Sequence, residues 1–340
     1  MVILAYPSRS RHFRAGFGFD RVFAVRIVWA AALAMSCMAA GVDDQDFNGR
    51  WDIAVNGGEA RARAWWLEVT GAGTPGLKGK FVGTPGGQID DIPRISISGG
   101  ELRFVFEKRY QRDQRGLQKG MYWARLEDGK LKGTFEIAGD PSSYLEWTGM
   151  RAPVLPEKDD PSWKKGDPVT LFDGHDLLAW LAPSRTGWTV KDTSLSNSAG
   201  AVNLVSEKKF WNFVLLADFR VGPRGISGIG LRGRYKIQIA DDYDRPPSLN
   251  VTGAVNGRIA PFVNAARPPG EWQTFEIRLV GRQVSVTLNN VKVIEKQTID
   301  GLTAMAIDAN EADPGPIVLQ GDRGPVEFRH VVVFPLTKPK

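Results

Sequence analysis

A chain of 340 residues, 42% hydrophobic and 24% charged, has the make-up of an ordinary globular protein with room for two domains. Its formal charge of +6 is concentrated at the start: Arg9, Arg11, Arg14, Arg21 and Arg26 stand against Asp20 in residues 1–40, leaving 39 basic and 37 acidic residues beyond them. A nearly neutral body with no basic patch interleaved with aromatics excludes nucleic acid as the expected partner, and 38 glycines with few helical periods favour β-structure.

The first element, Arg26–Asp44 (RIVWAAALAMSCMAAGVDD), is basic, then mostly apolar over Ile27–Ala40, then abruptly acidic. The apolar run is short for a bilayer span but suits the core of a secretory signal, with Ala39 and Ala40 as small residues at a cleavage point. Residues 1–40 therefore read as an export signal, and the protein as periplasmic or secreted. AMSC around Cys37, the only cysteine, offers a lipid anchor as the alternative. Either route predicts a mature chain with no transmembrane span and no dependence on disulfides.

Residues 46–151 follow as short alternating runs. ELRFVFEKRY puts Leu102, Phe104 and Phe106 on one side, and GKLKGTFEIAG does the same with Leu131, Phe135 and Ile137. Turn signals at Thr74-Pro75-Gly76, Ser98-Gly99-Gly100 and Asp128-Gly129 divide them, giving seven or eight strands, which a small antiparallel β-barrel accommodates. Gly49-Arg50-Trp51 at its start and Arg151 at its end resemble the closure of lipocalin-like barrels, where a late arginine covers an early indole and bonds the first turn. Residues 152–168, with four prolines and no apolar period, read as an extended linker packed by Trp163.

From 169 to 337 the predicted strands are Trp188–Val190, Phe213–Arg220, Ile226–Ile239, Gln273–Val280, Val284–Leu288, Val291–Glu295, Ile317–Gln320 and Val326–Phe334. Antiparallel strands without a repeated βα unit predict a two-sheet jelly-roll sandwich, and an all-β protein overall. Within GISGIGLRGRYKIQIADDY (Gly225–Tyr243), Ile229, Leu231, Tyr235, Ile237 and Ile239 fall on one face, and Arg232, Arg234, Lys236 and Gln238 on the other. Such a row is either a solvated outer face or the lining of a groove for something polar.

Four segments now carry a resemblance: LFDGHDLLAW (Leu171–Trp180), SGIGLRGRYKIQI (Ser227–Ile239), RPPGEWQTFEIRLVGRQVSVTLNNVKVIE (Arg267–Glu295) and ADPGPIVLQGDRGPVEFRHVVVFP (Ala312–Pro335). In this order they resemble the 3-keto-disaccharide hydrolase domain family, over about residues 168–337. The resemblance implies a concanavalin A-like β-jelly roll and cleavage of glycosides already oxidised to a ketone at sugar carbon 3. It turns the cationic row into an expected groove, with Arg232, Gln238, Gln320 and Asp322 binding the carbohydrate and Trp272 stacking beneath a ring. Trp180, Trp188 and Phe275 read as core.

A ketone at carbon 3 acidifies the hydrogen on carbon 2, so a base, an electrophilic stabiliser and a leaving-group acid suffice for β-elimination of the carbon 1 oxygen, followed by hydration. Lys236, Asp241 and Asp308 are the expected catalytic residues. The sequence departs from its relatives here, because Lys236 stands where the family's run commonly has glutamate and Arg323 where it often has histidine. Lys236 as base or stabiliser, a different carboxylate (Asp241, Asp242, Asp308, Glu311 or Asp322), or a non-catalytic carbohydrate-binding envelope module are all open at this point. The acidic runs ADDYD and DANEAD could also supply oxygen ligands to a divalent cation such as calcium.

Overall fold

The computed structural model describes residues 42–56, 63–83, 87–110, 116–181 and 186–338, and Gly41–Lys340 forms one contact unit. The expected export signal and Cys37 lie outside the described residues. These contain one 3-10 turn, Asp44–Phe47, and otherwise strands. No helix among them is long and apolar enough to cross a membrane.

The first nine strands are β1 (Gly49–Asn56), β2 (Arg63–Thr70), β3 (Lys78–Val82), β4 (Asp90–Asp91), β5 (Arg94–Ser98), β6 (Glu101–Lys108), β7 (Gln118–Glu127), β8 (Lys130–Ile137) and β9 (Asp140–Arg151). They form one antiparallel sheet in the order β4-β3-β2-β1-β9-β8-β7-β6-β5. The sheet curls until its ends approach across Gly79, where a Cβ would collide with Ile92 and Ile95. No ladder joins β3 to β5 among the described residues, and a cleft of about 890 Å³ opens at this seam beside Lys80, Arg94 and Phe104. Alternation turns Trp51, Ile53, Leu67, Phe104, Tyr122 and Leu131 inward, all at most 1% exposed. Phe104 stacks on Tyr122 at 4.6 Å between ring centroids, and Trp65, Phe81 and Phe135 pack edge-on or tilted around them. The interior is a packed aromatic core.

The end of β9 returns to the start of β1. The Arg151 guanidinium lies 3.8 Å from the Trp51 ring centroid and donates to the carbonyls of Asp46 and Asn48. Gly49, at φ +121°, sits directly under that guanidinium, where a side chain would meet it. The Trp51 indole N–H donates to Phe47 O at 3.1 Å, so the 3-10 turn is tied down too.

The linker is bound along its length. The Trp211 indole donates to Glu157 at 3.0 Å, Arg278 donates to Asp159 at 2.9 Å, and Trp163 packs against the cluster of Val214, Val280 and Leu336. Beyond it come β10 (Lys164–Lys165), β11 (Val169–Phe172), β12 (Trp180–Leu181), β13 (Trp188–Lys191), β14 (Ser194–Asn197), β15 (Leu204–Phe210), β16 (Phe213–Val221), β17 (Ile226–Leu231), β18 (Tyr235–Ala240), β19 (Gln273–Val280), β20 (Gln283–Leu288), β21 (Val291–Thr298), β22 (Gly315–Leu319) and β23 (Val326–Thr337). A large sheet runs β13-β14-β23-β16-β19-β20-β21, with β10 and β11 also on β23. A smaller one runs β12-β15-β22-β17-β18.

Their inner faces share one core. Phe219 and Phe275 stack at 4.7 Å in the large sheet, while Ile229, Tyr235, Ile237 and Leu319 come from the small one. Trp180 and Trp188 are buried with their N–H groups on Leu171 O and Val202 O, and Asn289-Asn290 make the tight turn between β20 and β21 with both φ positive. The chain is all-β, a curled antiparallel barrel followed by a jelly-roll sandwich.

Barrel and sandwich share a small buried contact. Outward residues of β2 and β3 (Ala64, Trp66, Val82) meet Leu302 and Ala306 from the segment after β21, and Asp52 of β1 is buried near Arg258, Arg282 and Glu311. Trp66 lies beneath the Arg258 guanidinium at 4.1 Å and against Gly301, where a side chain would strike the indole. Ala64 N–H donates to Ala306 O at 3.1 Å, and Arg50 pairs with Asp300 at 3.5 Å.

Asp52 is 1% exposed in this contact, beside the buried carboxylate of Glu311. Burial pushes its carboxyl up to about 8, with the negative charge of Glu311 adding to the effect. The folded protein keeps this proton after the unfolded chain has lost it. Stability should therefore fall as pH rises from the ordinary carboxylate value of 3.8 to about 8 and stay low above it. Asp52→Asn should match the parent in Tm near pH 4 and exceed it at pH 9. An equal difference at both pH values would refute the assignment.

Candidate functional site

The segment Ile226–Ile239, expected as a single strand, is a hairpin. Leu231 pairs with Tyr235 across a three-residue turn, in which Arg232 and Gly233 take φ of +52° and +68°. The turn has an odd number of residues, so the inward apolar alternation survives it: Ile229, Leu231, Tyr235 and Ile237 all face the core. On the outer face Gly230 stands opposite Lys236 and Gly228 opposite Gln238. Two glycines facing two long polar side chains leave a trough on the sheet. The stem of Lys236 fills part of it, because a methyl group at Gly228 would collide with Lys236 Cε.

Two loops cover the trough. Lys236 N–H donates to Thr303 Oγ1 at 3.0 Å, and Asn256 N–H donates to Lys236 O at 2.9 Å. Gln238 is held by Ala254 O at 2.9 Å and by Gly253 N–H at 3.0 Å. Met305 reaches over Gly230. From the far side, Gln320 N–H donates to Gly228 O at 3.0 Å, and Ser227 Oγ donates to Gln320 O at 2.8 Å, fixing the end of β22 beside the hairpin. Gln320 Nε2 then donates to Asp322 Oδ1 at 3.0 Å.

Three polar groups are left over. Lys236 is 7% exposed, and no carboxylate lies within ion-pair distance of its ammonium among the described residues. Gln238 Oε1 and Gln320 Oε1 are buried without hydrogen-bond partners among the described residues. Buried polar atoms are nearly always partnered, so these two oxygens are available to accept hydrogen bonds from a ligand. Burial pulls the Lys236 amine down to about 7; the Arg323 charge pushes the same way, and Asp322 opposes it. Asp322 and Arg323 are exposed and form the rim.

The other expected residues lie elsewhere. Arg232 is fully buried, 4.2 Å from the Trp211 ring centroid and 5.2 Å from that of Tyr235, and donates to Gly281 O. It anchors the turn beneath the linker and does not share the face of Lys236. Asp308 pairs with Arg234 at 2.7 Å and accepts from Asn310 N–H at 2.9 Å. Asp241 accepts from Arg224 N–H at 2.8 Å, Asp242 from Thr252, and Glu311 from both Arg282 and the Tyr235 hydroxyl. Trp272 lies between Arg220 (4.9 Å) and Arg329 (4.1 Å), which alternate with core Phe219 and Phe328 and so mark the outer face of the large sheet. That is the opposite side of the sandwich from Lys236.

Asp241, Asp242, Asp308 and Glu311 of the two acidic runs are thus engaged by protein partners, and no group of three His, Cys, Asp or Glu that could hold a metal ion occurs among the described residues.

This arrangement belongs to a segment with recognisable kin. Residues 167–333 match the 3-keto-alpha-glucoside-1,2-lyase-like domain, just under half of the chain. This segment belongs to that family. A candidate glycosyl hydrolase from Parabacteroides distasonis is 26% identical, aligned over 54% of this chain and 91% of its own, with a TM-score of 0.43. A second from the same organism is 21% identical over 50% and 94%, TM-score 0.42. The carbohydrate-binding module CBM66 from Bacillus subtilis is 14% identical over 49% and 95%, TM-score 0.29. No curated protein matches the sequence.

Sequence reasoning expected Lys236, Gln238, Gln320 and Asp322 among the site residues, and the fold brings these four to one place. It missed Thr303, Met305 and Asn256, which come from loops without strand periodicity. The glycines at 228 and 230 were the available signal, since small residues across a hairpin from long ones make a trough.

Proposed function

We propose that the jelly-roll domain cleaves glycosidic bonds of carbohydrates carrying a ketone at sugar carbon 3, at the trough around Lys236, by carbon 2 proton abstraction, β-elimination and hydration. The observation that carries this reading is a buried lysine without a counter-ion beside two unpartnered amide oxygens. Such a set can receive a carbonyl and two hydroxyls. Membership in the lyase-like family supports the choice of a keto sugar.

In this reading Gln238 and Gln320 accept hydrogen bonds from sugar hydroxyls, and Lys236 engages the ketone group at carbon 3. Asp322, on the rim and held by Gln320, takes the carbon 2 proton and returns it to the departing oxygen. Asp241 and Asp308, engaged with Arg224 and Arg234, have no part, and no step runs through a metal. The basic-then-apolar N-terminus supports export to the cell envelope or beyond.

The test compares p-nitrophenyl 3-keto-glucoside with p-nitrophenyl glucoside, each with and without a chelator. Release of nitrophenol from the keto form alone, unaffected by the chelator, is expected. No release under either condition would sink the enzyme reading, and saturable binding without release would replace it with a carbohydrate-binding module.

A further inference from the structure

The trough holds Lys236 in an unusual condition for a surface-sheet lysine. Its stem lies across Gly228, with no side chain beneath it, and its backbone N–H and C=O are both bonded, to Thr303 and Asn256. Its amine is not matched to a carboxylate among the described residues. The charged groups that act on it are Arg323 and Asp322, both on the rim. The covering loops bring the uncharged Thr303, Asn256 and Met305. A primary amine in such surroundings is a nucleophile toward ketones, the chemistry by which enzymes make Schiff bases.

We propose that Lys236 is a covalent catalyst that forms an imine with the ketone of the sugar. The proposal rests on the keto-glycoside reading above. The amine adds to carbon 3 and one water leaves, giving a protonated imine. Asp322 takes the proton from carbon 2; the C–H pair becomes the second carbon 2–carbon 3 bond of an enamine, and the iminium pair settles on nitrogen. The nitrogen pair then reforms the iminium, the enamine pair shifts to a carbon 1–carbon 2 double bond, and the carbon 1 oxygen leaves with its bonding pair and takes the proton from Asp322 to depart as the alcohol. One water adds at carbon 1, carbon 2 is reprotonated, and a second water hydrolyses the imine to free the sugar and the lysine. The net change consumes one water and involves no oxidation or reduction. An iminium draws electrons more strongly than a neutral ketone, so the carbon 2 hydrogen is acidified without a metal ion.

The amine must be neutral to attack. Its value of about 7 leaves it largely uncharged at mildly alkaline pH, so turnover should fall tenfold per unit as the pH drops below about 7.

The wild-type protein is incubated with methyl 3-keto-glucoside and sodium cyanoborohydride, followed by intact mass and peptide mapping. In parallel, release of nitrophenol from the keto glucoside is measured for wild type and Lys236→Arg, which keeps the charge and cannot form the imine. One sugar adduct on the Lys236 peptide, with turnover reduced more than a hundredfold in Lys236→Arg, is expected. Release without an adduct, adducts confined to surface lysines, or turnover within tenfold of wild type in Lys236→Arg would overturn the imine and leave the hydrolase reading standing. Neither release nor adduct would overturn both. A Lys236 adduct without release would sustain capture of the ketone and overturn the cleavage. Trapping in the wild type reads out even if the variant misfolds.

Discussion

Lys236→Met should stabilise the protein and abolish its turnover. Methionine has nearly the length of the lysine stem and needs no hydration, whereas a buried ammonium gives up its water and gains no counter-ion. Lysine ordinarily holds its proton to 10.5, and here burial lowers that to about 7. Between these values the unfolded chain binds a proton that the folded one has released, so this residue makes stability rise with pH from about 7 to 10.5. Below about 7 the full penalty is present. It is on the order of a few kcal/mol, from about 1.4 kcal/mol per pKa unit. Thermal melts of wild type and Lys236→Met should therefore differ most at pH 6 and converge near pH 10. A variant less stable than wild type at pH 6 would show that the amine is favourably bound, contrary to the reading of the trough. A gain in stability with lost activity is the usual mark of a group held in place for its chemistry.

Trp66→Ala should weaken the barrel and its contact with the sandwich together. The indole is 1% exposed and sits between Arg258 and Gly301, so its removal opens a cavity at the contact between barrel and sandwich. Trp-to-Ala changes in cores cost about 3–5 kcal/mol, or roughly 10 °C in Tm for domains of this size. The consequence should reach the trough as well. Leu302 and Ala306 on the far side of Trp66 flank Thr303, which binds the backbone of Lys236, so KM for the keto glucoside should rise several-fold. Differential scanning calorimetry and steady-state kinetics measure the two effects. A drop in Tm with unchanged KM would show that the covering loop is held by the sandwich alone.

Much of the architecture could be read from local pattern. Leu102, Phe104 and Phe106 alternate in the sequence and in the barrel interior, and Gly49-Arg50-Trp51 with a late arginine gave the ends that meet. Asn289-Asn290 marked a turn because asparagine tolerates positive φ. The reading failed where parity alone was the guide. The turn at Arg232–Arg234 preserves alternation, so a hairpin and a long strand look alike in that stretch. Arg232 then seemed to continue the row of Lys236, although Trp211 and Gly281, far away in the chain, draw it inward. Trp272 was misplaced for a related reason, because alternation says which side of a sheet a residue takes and never which of two sheets it belongs to. The burial of Lys236 depends on Thr303 and Asn256, contacts at sequence distances where no periodicity operates.

The path of residues 152–168 has a practical outcome. Glu157, Asp159 and Trp163 are pieces of the sandwich surface, and Gly281 has room for no side chain because Glu157 O passes over it. A gene trimmed to the family-matching segment alone would strip Trp211 and Arg278 of their partners and uncover Leu302 and Ala306 to water. Recombinant fragments meant to isolate the sugar-processing half should accordingly begin ahead of the barrel, not between the two.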